Sequence, residues 1–534
     1  MAKPKRARRG ALGTAAPAVQ EAPAAAPAGV TPAVGTAILL LAIGIAGRLG
    51  AHLSLFFPSW TDENVHLYVA RRISEGATLY RDIDSARPPL VILPLAALIR
   101  VGLAPLLAAR VLVFLAALAT SCVTFLGAQA LFSRRAAVLA TAFYLLSPEL
   151  IARLPYTGIQ LVQLGATLCL VLTLLGRPLG AGAAFGLALG AGQHSLVIGG
   201  LAGIWFLVRD RRQALWFVVG VAGAFAAVFG LAWLLGAQHL WENLVARHLY
   251  HLSGGGGGTT GLGPLLLAWI GDNLLLFALA GGTLLTRTPR APAGSPARSE
   301  RAARAVAAAL AMHLAVLLLM SAGHFLYAVP VFPLVCLLAG RGGDQLGTWL
   351  WRPAAGAGQR GRLIATGALG AVAISMVGWK VAQSQQQGNG EALAFLPYPR
   401  LAQMARMQRL DVCALIAKDI DRRLPAAATV FGHGPVAAQV ALDGGRRVAG
   451  ELADLAPRWI EEGTVSRRSV ITGIENDAVG ALVTPAWLLV QDPEFRAYLD
   501  RCYRRPQVYP RPRTGDGRGV PDLLLFWRND LPRP

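Results

Sequence analysis

Two adjacent carboxylates, Asp62 and Glu63, open a polar stretch of this 534-residue chain, Trp60-Thr61-Asp62-Glu63-Asn64, and Arg87 closes it in Arg87-Pro88-Pro89-Leu90. Between them lie Tyr68, Gly76 and Leu79-Tyr80-Arg81-Asp82. A carboxylate fixed at a helix start is able to take a proton from a hydroxyl, and cations nearby are able to hold an anion. The apolar members Val65, Leu67, Tyr68, Val69 and Ile73 predict a short amphipathic helix that lies along a membrane surface. The plainer reading of the same residues is capping. Ser59 or Thr61 would serve as N-cap, with both acids in the first turn against the helix dipole.

The elements that position this stretch are set by composition. Hydrophobic residues make up 54% of the chain and charged ones only 15%, against about 25% in a soluble protein. Mean hydropathy is +0.49. Charge is nearly absent from long apolar runs and gathers in short segments between them, which is a membrane pattern. The net charge of +21 does not point to nucleic acid, because the basic residues sit where short cytoplasmic loops would be.

The basic Ala/Pro-rich segment 1–33 reads as a disordered cytoplasmic tail. Val34 to Phe57 is too long for a signal-peptide core and reads as the first span, with Arg48 facing protein. An outer loop, 58–105, follows. Further spans are Leu106–Phe132, Ala136–Ser147, Ile159–Leu175, Ala214–Leu235, Leu265–Leu285, Ala305–Met320, Phe325–Ala339 and Leu363–Val381. Leu179–Val208 is bounded by basic residues on both sides and predicts a hairpin of two short helices with Gln193 and His194 at its outer tip. Arg134-Arg135, Arg209 to Arg212, Arg341 and the Arg-rich loop from Thr286 to Arg304 mark the inside. The expectation is a multi-pass α-helical membrane protein of about eleven spans in the plasma (inner) membrane, N-terminus cytoplasmic. The membrane region runs over 34–383.

Residues 384–534 differ in kind, with acids and bases nearly balanced. Val412–Arg423 and Pro435–Leu442 read as helices, and Ala428–Phe431, Ala481–Val490 and Asp522–Trp527 as strands. This predicts a small extracytoplasmic α/β domain. Of five cysteines, Cys122, Cys169 and Cys336 lie in apolar spans as packed thiols. Cys413 and Cys502 lie where an oxidising compartment could pair them, and sequence leaves that open.

The stretch from Asp62 to Leu90 resembles the first outer loop of the GT-C superfamily of lipid-linked sugar transferases, in the branch of protein O-mannosyltransferases and lipid A aminoarabinose transferases. The shared pattern is Asp-Glu, a Tyr, a Gly, Tyr-x-Asp and Pro-Pro-Leu. Arg110, Ser147-Pro148 and His324-Phe325-Leu326-Tyr327 with Pro330 and Pro333 extend it over most of the chain. The resemblance implies a glycosyltransferase, hexosyl- or pentosyl-, that moves a sugar from a polyprenyl-phosphate donor to a lipid, glycan or protein acceptor at the outer membrane face. Asp62 then matches the family's proposed base, and Glu63 would orient the acceptor or bind a divalent cation. Arg87, Arg110, His194, His324 and Tyr327 are the candidates for the donor phosphate. Each has a structural reading beside it: Arg110 satisfying carbonyls in the bundle, Tyr327 an interfacial anchor, His324 a cap, Arg87 a partner for Asp84.

Two departures stand out. Many relatives carry a second acid just inside the fourth span, where Tyr156 to Gln163 offers only Thr157, Gln160 and Gln163. That speaks against a two-carboxylate metal site and leaves the metal unknown. Relatives also carry a Lys near the hairpin tip, where this chain has Gln193 and His194; a His holds an anion best when protonated. His239, His248 and His251 share one outer loop with Glu242 but read as part of an interfacial helix with Trp241 and Tyr250. Gly254 to Gly258 lacks the Lys-Ser/Thr of a phosphate loop and suits a mobile outer loop. The competing functions are a secondary transporter, disfavoured by the lack of an internal repeat, and a catalytically inactive GT-C-like scaffold.

Overall fold

The computed structural model describes residues 62–145, 156–246, 266–285 except 268 and 272, 296–319, 325–351, 412–454, 466–485, 493–510 and 522–531. The predicted tail, the first and last predicted spans with Arg48, the glycine run, His248, His251 and His324 lie outside these residues.

Helix α1 (Asp62–Ser74) begins with two acids and ends with Arg71 and Arg72, so charges at both ends complement the backbone dipole. It does not lie open along a surface as its pattern suggested. Glu63 through Ala70 are all buried, because the helix packs between the apolar helices and the C-terminal α/β unit. A turn through Gly76 (φ 108) and Tyr80 (φ 65) reverses the chain. Helix α2 (Pro89–Arg100) then starts with Pro89 in its first turn, where the missing N–H costs nothing. By sequence this segment reads as part of the outer loop 58–105.

Helix α3 (Pro105–Leu131) has 27 residues and is therefore about 40 Å long. It is followed by α4 (Arg134–Leu145), α5 (Ile159–Leu174), α6 (Pro178–Leu189), a 3-10 turn at Gln193–Ser195, α7 (Leu196–Arg209) and α8 (Arg211–Leu234). The expected hairpin of two short helices is thus present as α6 and α7. Helices α6 and α8 touch backbone to backbone: a Cβ on Gly182 would run into the Phe217 carbonyl, and one on Gly220 into that of Leu179. Such small-residue seams let helices associate by close packing where lipid leaves no hydrophobic drive.

Among the described residues three helices are long and apolar enough to cross a membrane: Pro105–Leu131, Arg211–Leu234 and Arg298–Leu318. The last belongs to α10 (Pro296–Leu319), after α9 (Leu274–Leu285). Helix α10 starts nine residues before its predicted boundary at Ala305, so Arg298, Arg301 and Arg304 are helical rather than loop. Helix α11 (Phe332–Trp351) likewise runs on past Arg341. That residue is not a solvent-facing marker: it is buried over the Phe132 ring at 5.5 Å.

The C-terminal unit comprises α12 (Val412–Arg423), β1 (Val430–Gly432), α13 (Gly434–Asp443), α14 (Arg467–Asn476), β2 (Ala481–Pro485), α15 (Pro493–Cys502), β3 (Gln507–Tyr509) and β4 (Leu523–Trp527). Its sheet has the order β1-β2-β4-β3, parallel between β1 and β2 and antiparallel elsewhere. Every residue of β1 and β2 is buried, as expected for strands covered on both faces. Val430, Val483 and Leu525 share a core with α12 and α13; Phe431, Leu482 and Phe526 pack on α14 and α15. Cys413 and Cys502 are free thiols.

Candidate functional site

The start of α1 places its two carboxylates in opposite environments. The Glu63 side chain is fully buried, and Arg110 of α3 grips both its oxygens, Nη1 on Oε1 and Nη2 on Oε2 at 3.0 Å. The backbone N–H of Tyr156 also donates to Glu63 Oε1 at 2.7 Å. A buried carboxylate needs such compensation, since a lone charge there is very costly. Glu63 and Arg110 therefore hold each other, tying α1 to the long apolar helix α3 and to the segment before α5. Neither faces outward as an acceptor ligand or phosphate contact would.

Asp62 is different. Its side chain is half exposed, and it accepts from Arg87 Nη2 at 2.7 Å. Arg87 is held in turn from the C-terminal unit: its Nε lies 3.6 Å from Oδ2 of Asp454. Asp454 is buried and takes the Ala86 N–H at 2.8 Å. Burial pushes the Asp454 carboxyl above the usual range, and Arg87 and the Ala86 N–H pull it back only in part. The Tyr80 hydroxyl donates to the Arg87 carbonyl, which fixes the backbone on the other side.

His66 stands one helical turn after Asp62 and is completely buried. Its Nδ1–H donates to the Tyr156 carbonyl at 2.9 Å, and Nε2 has no hydrogen-bond partner among the described residues. Burial first, then the Arg87 charge, lowers its pKa to about 4; Asp62 opposes the shift. The ring is therefore neutral at physiological pH. Sequence reading missed His66, although its i, i+4 spacing from Asp62 was visible.

The α/β unit clamps the same helix further along. Tyr68 OH donates to Glu451 Oε2 at 2.9 Å and accepts the Val448 N–H at 2.8 Å. Arg72 reaches Glu451 Oε1 at 2.9 Å, and Arg71 reaches the Leu442 carbonyl at 3.2 Å. No sequence signal could have paired residues so far apart.

The hairpin tip stands beside this cluster. The Leu90 N–H, just beyond Arg87-Pro88-Pro89, donates to the Gly190 carbonyl at 3.1 Å. His194 sits half-buried in the turn that follows. The 3-10 turn Phe325–Val331 packs on the Gln193–Ser195 turn and on α5, so the backbone of Tyr327 lies in this neighbourhood; its side chain is outside the described residues. Gln163, in the region without a second acid, is fixed between the Tyr144 hydroxyl at 2.6 Å and the Val329 carbonyl at 2.7 Å. After α8, His239 pairs with Glu242 at 3.2 Å. Among the described residues no three His, Cys, Asp or Glu side chains converge as metal ligands.

An apolar cavity of about 700 Å³ opens between α2, the end of α8 and the turn after α1. Leu90 and Leu93 form one wall and Leu231 and Leu235 another, with Arg100 at its edge.

No family profile and no curated protein matches this chain. Solved structures do. ArnT from Cupriavidus metallidurans, bound to undecaprenyl phosphate, superposes with a TM-score of 0.57 at 16% identity, over 92% of this chain and 98% of that one. Its apo state gives the same score over 93% of this chain. The Archaeoglobus fulgidus oligosaccharyltransferase in complex with Zn and sulfate reaches 0.49 at 13% identity, over 92% of this chain and 72% of that one. The fold is thus shared with ArnT over 92% of this chain and 98% of that one, and three of the described helices are long and apolar enough to cross a membrane.

Proposed function

We propose that this protein is a membrane glycosyltransferase that moves a sugar from a polyprenyl-phosphate donor to an acceptor hydroxyl at the membrane face carrying the Asp62 cluster. The observation that carries the reading is the half-exposed Asp62–Arg87 pair, set on a GT-C fold whose ArnT representative was solved with undecaprenyl phosphate. The apolar cavity that begins at Leu90 suits the isoprenoid tail, and starts three residues beyond Arg87.

The acceptor oxygen attacks the anomeric carbon, its bond to the phosphate oxygen breaks, and polyprenyl phosphate leaves. Asp62 takes the acceptor proton. Arg87 is the group that links the two events: a donor phosphate competes with Asp62 for the guanidinium, and its arrival releases Asp62 to act as base while placing a cation on the leaving group. His194 and the turn holding Tyr327 flank the same space. Glu63 and Arg110 act as positioning residues, since they are spent on each other. A divalent cation would be held by Asp62 and would neutralise charge on the leaving phosphate. The cluster faces outward, with eleven spans and the α/β unit extracytoplasmic.

The test is transfer of labelled sugar from a polyprenyl-phosphate donor pool by purified wild type and Asp62→Asn, with glycan profiling of a deletion strain to identify the product. Transfer by wild type alone supports the reading. Intact glycans with altered solute uptake in the deletion strain would favour a transporter.

A further inference from the structure

At the far end of the bundle from Asp62 there is a second cavity, of about 610 Å³. Its place follows from α3: Arg110 grips Glu63 near one end, while Leu131, 21 residues on, lines this cavity, roughly 30 Å away at 1.5 Å per residue. It is therefore at the opposite membrane boundary and shares no residue with the site described above.

Its walls divide by chemistry. Leu131, Leu175 and Val208 make an apolar side, and Arg209, Arg298 and Arg301 bring three cationic side chains from two different helices, α7 and α10. Two acids, Asp210 and Glu300, are close to these arginines in sequence. Glu300 reaches Arg304 at 3.6 Å, and Asp210 accepts the Arg212 N–H at 2.9 Å as the N-cap of α8. Two further polar atoms of the lining, Trp205 Nε1 and Gln213 Oε1, are shielded from solvent and have no hydrogen-bond partner among the described residues. A buried indole N–H normally finds an acceptor. Arginines that merely retain a loop on one side of the membrane need neither a shared cavity nor an orphaned donor beside it.

We propose that this cavity is a binding site for the headgroup of an anionic glycerophospholipid. The phosphate is held by Arg209, Arg298 and Arg301 and accepts from Trp205 Nε1. The Gln213 oxygen takes a hydroxyl of a polyol headgroup, and the glycerol backbone and first acyl carbons lie on Leu131, Leu175 and Val208. Basic pockets between membrane helices at the bilayer boundary are suited to such headgroups.

The experiment is native mass spectrometry and thermal unfolding of the purified full-length chain with phosphatidylglycerol, phosphatidylcholine or inorganic phosphate. Wild type should retain phosphatidylglycerol and melt higher with it, and respond to neither of the others. Arg298→Gln combined with Arg301→Gln should weaken retention about tenfold or more. Arg211→Gln combined with Arg212→Gln, the same charge loss on neighbouring residues outside the lining, should not. Trp205→Phe removes the donor and keeps an aromatic ring beneath the Arg209 guanidinium, which lies 5.9 Å from the Trp205 ring centre, so it reads the site even if the double variant assembles poorly; it should weaken phosphatidylglycerol severalfold. Equal losses in both arginine pairs, equal retention of phosphatidylcholine, or the same stabilisation by inorganic phosphate alone would each overturn the proposal.

Discussion

Arg87 reaches Asp62 across 25 residues of chain, its Nη2 donating to Asp62 Oδ2 at 2.7 Å. The pair is exposed on the carboxylate side and anchored on the other by Asp454 at 3.6 Å. An ion pair open to water is worth little for stability, so its arrangement matters for what it can exchange. If Asp62 is the base, Asp62→Asn lowers the transfer rate by about 10²-fold or more. The pair is half exposed and contributes little to stability, so expression and melting temperature should hold. An active Asp62→Asn protein would end the assignment.

The buried Glu63–Arg110 pair predicts the reverse pattern. Removing one partner strands the other charge, at a cost of about 3–5 kcal/mol. Arg110→Met should therefore fail to fold or melt far lower, while Arg110→Met with Glu63→Leu should recover much of the loss. Unfolding curves of the single and double variants in detergent give the coupling. Additive losses would show that the two residues do not act together.

His66 makes stability depend on pH in a known direction. Its value in the fold, about 4, lies below the ordinary 6.5, so the unfolded chain takes up the proton first as pH falls. The contribution is complete above about 6.5 and is lost progressively down to about 4. Wild type should melt lower at pH 5 than at pH 7.5, and His66→Gln should shrink that difference. The same slope in both proteins would mean that other groups set the acid sensitivity.

Tyr68→Phe removes the hydroxyl that donates to Glu451 and receives the buried Val448 N–H. Leaving that N–H unsatisfied costs about 1–3 kcal/mol. Hydrogen exchange should rise around Val448 and in α1 together. A rise in the α/β unit alone would show that the two parts are not coupled through this residue.

Much of the helical scaffold could be read from apolar runs and basic punctuation. The α6–α7 hairpin emerged because 30 apolar residues between basic flanks are too long for one span. Helix α2 was missed because Pro88-Pro89 looked like loop, although proline in a first turn is a helix start. The early beginning of α10 was hidden by its arginines, which are as compatible with a helix end as with a loop. In the site, Asp62 and Arg87 stood out by type and motif. The burial of Glu63, the role of Arg110 as its partner, and the arrival of Asp454 and Glu451 were not legible, since each depends on a contact between distant segments. Strand β3, with two of its three residues exposed, carries too little pattern to be seen at all.

The contacts that Asp454 and Glu451 make with the α1 region join residues 368 to 383 positions apart, so the order of synthesis bears on when the protein becomes competent. The stretch from Asp62 to Arg87 leaves the ribosome early and must wait for almost the whole remaining chain before its anchors exist. Until then Arg87 lacks its second carboxylate and α1 lacks its cover. A chain stalled before Glu451 would remain without the contacts that anchor Arg87 and cover α1. Assembly of the Asp62–Arg87 cluster is in this way tied to synthesis of the chain through Asp454.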